Sequence, residues 1–235
     1  VSAWAPKRFW KAATTEPAEG GFAIRLDARP VKTPAKQPLI VPTLAMAQAI
    51  AAEWDAQHGL VRPDTMPLTR AANSAIDKVA TQFDGVVGEI ANYGATDLLC
   101  YRATDPPALI DRQTAAWTPL LDWARDHLAA PLQVTHGVIP IPQPEDSLRR
   151  LRAHVAAHDP FRMTALHDLV AISGSLILGL AVARGRVSAA DAFAISRIDE
   201  HWQIEQWGDD EDAAVLEQAR RDAFLTAERF LGLCG

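Results

Sequence analysis

The chain has 235 residues, 49% of them hydrophobic and 22% charged, with 29 Asp and Glu against 23 Lys and Arg for a net charge of −6. This composition builds one large or two modest globular domains and excludes a disordered tail protein. The acidic balance argues against nucleic acid as a partner, because binding a polyanion draws on a basic surplus. Two cysteines, Cys100 and Cys234, cannot make a disulfide framework and read as buried or terminal thiols of a reducing compartment.

Residues 1–9 lack the apolar core of a secretory signal and begin without Met, so earlier removal of a targeting segment stays open. From 8 to 41 the pattern is that of strands. Phe22, Ile24 and Leu26 alternate on one face, Asp27 to Pro30 reads as a turn, and a Pro-bounded Leu39-Ile40-Val41 follows. With Arg8-Phe9-Trp10-Lys11 as a first strand, the region is predicted to form a small antiparallel meander that needs a cover. The next segment supplies one, since Ala47, Ile50, Ala51 and Trp54 fall on one face of a helix.

Beyond residue 60 the pattern is helical. Helices are predicted over 67–83 and 85–101, and Trp117, Leu120, Leu121, Ala124 and Leu128 form a further stripe. Thr118 and Pro119 suggest a cap and first-turn proline inside that stripe. Residues 132–142 read as an extended link. Residues 169–183 carry no charge but are too short for a membrane span, which takes about 20 apolar residues, and read as one buried central helix ended by Gly185. Ser188 to Asp191 resembles a capping box, and the last helix is expected to bury Leu216, Ala219, Ala223, Ala227 and Phe230. The expected fold class is α+β: a small antiparallel sheet with covering helices over 1–115, then an all-α bundle over 116–235.

Sequence motifs of chemistry are few. The chain has no phosphate-binding Gly-x-x-x-x-Gly-Lys-Ser/Thr loop, no Gly-x-Gly-x-x-Gly and no Gly-x-Ser-x-Gly elbow. Ser173-Gly174-Ser175 lies in the most apolar segment, where small residues permit close helix packing. His154 and His158 are spaced to share a helix face and hold a metal, or to be two surface imidazoles, but the glutamate of a zinc protease motif is missing. The acidic run Asp209-Asp210-Glu211-Asp212 after Trp207-Gly208 admits three readings: helix capping, acid–base or metal chemistry with His201, or a charged recognition patch with Trp207 as its anchor.

A series of short motifs then runs in order along the chain. It comprises Arg8-Phe9-Trp10-Lys11, Leu26-Asp27-Ala28-Arg29 and Lys32-Thr33-Pro34, then Ala51-Ala52-Glu53-Trp54-Asp55-Ala56-Gln57, Met66-Pro67-Leu68-Thr69 and Ala75-Ile76-Asp77. Thr96-Asp97-Leu98-Leu99-Cys100-Tyr101-Arg102 follows, with Gln113, then residues 175–181 and Gln203-Ile204-Glu205-Gln206-Trp207-Gly208 with Glu211. As an ordered set these resemble the assembly chaperones that escort the alpha subunit of the catalytic sector of F-type ATP synthase. One departure is Ala214-Val215, where the family commonly shows His-Asp. The resemblance implies a non-enzymatic holdase that binds a free alpha subunit and shields its subunit interface until a beta subunit replaces it. It also implies a client surface that includes Glu211, Trp207, Asp210 and Gln203, with no cofactor, metal or nucleotide of its own. The alternative left by the residues alone is a small-molecule hydrolase or metal enzyme using the acidic cluster with His201 or the His154/His158 pair. An Arg- and Ala-rich composition points to a bacterial cytoplasm, or to a mitochondrial matrix if the source is eukaryotic.

Overall fold

The computed structural model describes residues 7–208 and 210–235 and separates into two compact units. Unit 1 comprises residues up to 83 together with 160–165 and 229–235; unit 2 comprises 84–159 and 166–228. The expected α+β class is observed, with a small antiparallel sheet at the start and helices thereafter.

In unit 1, β1 (Ala13–Ala18) and β2 (Gly21–Leu26) form a hairpin, and β2 also pairs with β3 (Arg29–Pro30) and β4 (Ile40–Val41). Ile24, Leu26 and Val41 are buried, and helix α1 (Leu44–Asp55), capped by Thr43, packs on β1 and β2 through Met46, Ala47, Ile50 and Ala51. Burying such a face against a helix supplies the stability that a lone small sheet lacks. Residues 8–11 are not a strand as predicted. Their polar groups bond outside a ladder instead: Lys11 N–H and that of the adjacent Ala12 donate to the Asp27 carboxylate, and Arg8 Nη1 donates to the backbone carbonyl of Gln57 at 2.8 Å. Those same backbone bonds hold the Asp27 carboxyl below its ordinary range.

Helix α2 (Pro67–Ser74) passes into a π-helical turn at Ala75–Val79, so the helix predicted over 67–83 is interrupted. Helix α2 has no cap of its own. Glu53 caps it from α1: its carboxylate accepts from Leu68 N at 2.7 Å, Thr69 N at 2.8 Å and Thr69 Oγ1 at 2.7 Å. Asp77 similarly accepts from Thr33 Oγ1 at 2.6 Å and Ala35 N at 3.0 Å. The short motifs of unit 1 therefore meet in pairs, each joined by one carboxylate. The seven residues 229–235 close this unit, with Thr43 Oγ1 donating to the Leu233 carbonyl at 2.6 Å and Phe161 stacked on Phe230.

Helix α3 (Phe83–Asn92) gives way to 3₁₀ turns at Tyr93–Thr96 and Leu98–Cys100, which ends the helix predicted to reach 101. Strand β5 (Tyr101–Arg102) pairs in parallel with β6 (Thr135–His136). Between them runs α4 (Pro107–His127), which begins well before the predicted start and holds Pro119 in its interior; residue 115, the expected domain limit, falls within it. The stripe carried by α4 is buried as expected, and Trp117 Nε1 donates to the Ile195 carbonyl at 3.0 Å.

The remaining elements are α5 (Glu145–Ala156), α6 (Pro160–Ser173), α7 (Leu176–Ala183), α8 (Ala189–Ser196), α9 (Ile198–Trp207) and α10 (Glu211–Gly232). The apolar segment 169–183 is buried apart from an exposed Ala171 and a half-buried Ile172, Gly174 and Ala183, but it is two helices rather than one. Gly174, at φ 70°, makes the break, and Ser175 caps α7 by accepting from Leu178 N at 3.0 Å. The carboxylate of Asp97, wholly buried, accepts from Ser175 Oγ at 2.7 Å, Ile177 N at 2.9 Å and Leu99 N at 3.0 Å. Burial outweighs these donors and pushes its pKa up to about 6. Gly179 lets α7 approach α6, since a Cβ there would sit 2.5 Å from Val170 Cγ2.

The last helix departs most from expectation. Phe224, Ala227 and Phe230 are buried, but Leu216, Ala219 and Ala223 are exposed, so the apolar stripe of the first three turns of α10 faces outward. Among the described residues no helix is long and apolar enough to cross a membrane.

Candidate functional site

Helices α9 and α10 meet at a tight turn. Gly208 ends α9 with φ 92° and ψ 168°, a positive-φ conformation that glycine adopts readily. Asp210 then caps α10, its Oδ1 accepting from Asp212 N at 2.9 Å and Ala213 N at 3.2 Å. Glu211 stands exposed in the first turn of α10, as the sequence places it; Asp209 lies outside the described residues. Asp210, one of the predicted contact residues, therefore has a structural duty as well.

Two hollows flank this turn. The larger, about 430 Å³, is lined by Leu109, Gln113, Val138, Asp199 and Trp202 among others. The smaller, about 360 Å³, runs between α9 and the start of α10. Gln203 and Trp207 line both and so form the ridge between them. Trp207 is 80% exposed, and Val138 at 90% and Leu216 at 54%, which line the larger and the smaller hollow with it, extend the apolar surface. A large aromatic side chain left in water beside two hollows is the kind of residue that anchors a protein partner.

The larger hollow has a polar frame built from the later motifs. Gln113 is buried; its Nε2 donates to Asp199 Oδ1 at 2.6 Å and its Oε1 accepts from Ala103 N at 2.8 Å. Arg102 donates to the Gln113 carbonyl at 2.7 Å and lies over the Trp117 ring at 5.1 Å, and burial lowers its pKa. Arg112 grips Glu205 through two bonds of 2.7 and 2.9 Å and covers the Trp202 ring at 5.0 Å, which holds the Glu205 carboxyl below its ordinary range. The structure thus brings Arg102, Gln113 and the Gln203–Trp207 stretch to one face of unit 2. Val138 and Trp202 were not singled out in the sequence, and Leu216 was expected to be buried. Val138 lies in a Pro-rich link without periodicity, and Leu216 belongs to a stripe whose pattern signals burial.

The histidines considered for metal binding are otherwise engaged. His154 Nδ1 accepts from Arg184 Nη2 at 2.8 Å, which leaves Nε2 to donate to the Leu128 carbonyl at 3.1 Å. His158 lies past the end of α5 rather than sharing a helix face with His154, its Nδ1 within hydrogen-bond distance of the His154 and Val155 carbonyls, and His201 Nε2 is 2.6 Å from Glu217 Oε1. Among the described residues no three His, Cys, Asp or Glu side chains are grouped to hold a metal.

Within unit 2 the site is an exposed aromatic ridge between two hollows. Comparison with known proteins gives the family. Residues 7–125 match the family described as ATP12 chaperone protein. The chain is 25% identical over 245 residues to Protein atp12, mitochondrial, of Schizosaccharomyces pombe, covering 97% of this chain and 82% of that one. Its structure is similar to that of Atp12 from Paracoccus denitrificans, with a TM-score of 0.95 and 55% identity over 97% of this chain and 98% of that one. A protein from Agrobacterium tumefaciens gives a TM-score of 0.91 and 40% identity over 98% and 87% of the two chains. The chain belongs to the ATP12 chaperone family, which serves ATP synthase assembly.

Proposed function

We propose that this chaperone binds the free alpha subunit of the catalytic sector of ATP synthase and covers the interface later offered to a beta subunit. The ridge of Gln203 and Trp207, with Asp210 and Glu211 at its end, makes the contact, and the protein works without catalysis, cofactor or nucleotide of its own. The observation that carries this is the 80% exposure of Trp207 between two hollows, in a chain of a chaperone family. Relatives bearing the Atp12 name occur in a mitochondrion and in a bacterium, in keeping with work in the bacterial cytoplasm or the mitochondrial matrix.

Charge reversal at Glu211 separates contact from capping. Asp210 already caps the helix, so Glu211→Lys, which turns a favourable dipole interaction into an unfavourable one, costs on the order of 1 kcal/mol of stability. A contact with a basic client residue makes the same change cost several kcal/mol of affinity. Aggregation of purified alpha subunit with wild type or E211K is the measurement. Equal protection at equal chaperone concentration overturns the assignment of Glu211.

A further inference from the structure

The first three turns of α10 carry an outward apolar stripe next to the smaller hollow, and this pairing specifies more than an adhesive patch. We propose that the trough between α9 and α10 seats one amphipathic helix of the client, basic at the end that meets the Asp210 turn. The proposal rests on the chaperone reading and adds the kind of segment that is recognised.

The geometry is that of two helices presenting parallel rows. Gln203 and Trp207 project from α9 one turn apart, with Ile204 beside them, and Ala213, Leu216 and Arg220 project from α10 at intervals of three and four residues. Rows with this spacing accept anchors at i, i+3, i+4 and i+7 of a third helix, whereas an extended strand presents side chains with a period of two. The trough also offers no sheet edge to extend, since its walls are both helical.

Charge gives the occupant a direction. At the turn end stand Asp210, Glu211 and Asp212; at the far end stand Arg220 and Arg197, the latter 2.6 Å from Glu200. Midway, Glu217 is engaged by His201 at 2.6 Å. A helix lying here is favoured with its N-terminus, the positive end of its dipole, and its basic side chains at the acidic turn. It therefore runs parallel to α10. A second copy of this chain is disfavoured by the net charge of −6 that each brings.

Position-specific photo-crosslinking of the full chain tests this. Ala213 and Arg220, both exposed, are replaced one at a time by a benzophenone amino acid, and each variant is irradiated with purified alpha subunit. Because the two sites are two turns apart, crosslinks are expected on a single helix of the client about seven residues apart, with the Ala213 site nearer its basic N-terminal end. Crosslinks to strands or loops, the reverse order, or crosslinks to a second copy of the chaperone overturn the proposal. In parallel, Leu216→Glu, which alters an exposed side chain, is expected to leave melting unchanged and weaken capture of the alpha subunit at least tenfold. Unchanged affinity overturns the trough assignment while leaving the client intact. Absence of any complex with wild type overturns both the client and the trough.

Discussion

Ser175 Oγ donates to Asp97 Oδ1 across 2.7 Å while accepting from Leu178 N, so one hydroxyl both caps α7 and satisfies a buried carboxylate 78 residues away in sequence. Replacing it by alanine removes the cap and one donor together. Ser175→Ala is expected to cost about 2 kcal/mol, the sum of a lost N-cap and a weakened charge-assisted bond. Urea unfolding measures it, and a loss within about 0.5 kcal/mol of zero contradicts the double role.

Asp97 also makes stability depend on pH. Its folded pKa, about 6, lies above the ordinary 3.8, so ionisation is costlier in the folded protein than in the unfolded chain. The associated stability is fully present below 3.8 and is lost as pH rises through 6, a difference on the order of 3 kcal/mol. Other carboxyls shift in the opposite direction, so the informative quantity is the gap between wild type and Asp97→Asn, which cannot titrate at this position. The advantage of wild type is expected to grow by that amount from pH 7 to pH 4. A gap that stays constant shows that Asp97 does not titrate in this range.

Gly179→Ala sets helix propensity against packing. Alanine gains about 1 kcal/mol over glycine in a helix interior, yet its Cβ would meet Val170 Cγ2 at 2.5 Å and Leu166 Cδ1 at 3.3 Å, both in the buried core. The valine is β-branched and stiff, and overpacking costs typically 1–3 kcal/mol. A net loss of about 1 kcal/mol is expected in thermal or urea melting, and a gain shows that α6 and α7 can separate at little cost.

Glu53→Gln tests remote capping. Glutamine retains one acceptor but turns an NH₂ toward a backbone N–H of Leu68 or Thr69 and removes the charge that favours the start of α2. A loss of about 1–2 kcal/mol is expected in denaturant unfolding, with little change in Glu53→Asp only if α1 can move closer.

What could be read in the sequence follows physical lines. The Phe22, Ile24 and Leu26 alternation and the Ala47, Ile50 and Ala51 stripe were legible because a local period reports a buried face, and both are buried or nearly so. The break at Gly174 and Ser175 was hidden because an apolar run looks alike in one helix or two; Gly174 makes the break, and the Asp97 carboxylate that holds Ser175 at the start of the next helix is distant in sequence. Leu216 misled for the converse reason, since an apolar stripe awaiting a partner has the pattern of one that already has its partner. At the candidate site, motif order points to Trp207 and Gln203, which line both hollows, whereas Val138 and Trp202 reach the larger one only through the tertiary fold.

The composition of unit 1 bears on how the chain is made. A ribosome releases residues in order, and a segment can settle only when its neighbours have emerged. Most of unit 1 is made first, yet its last seven residues are 229–235, with the Leu233 carbonyl bound to Thr43. The part of unit 1 that precedes residue 84 must therefore remain unfinished until synthesis has passed through all of unit 2. A protein that shelters others during assembly thus has an interval during its own birth when Thr43 and the sheet beside it lack their final partner.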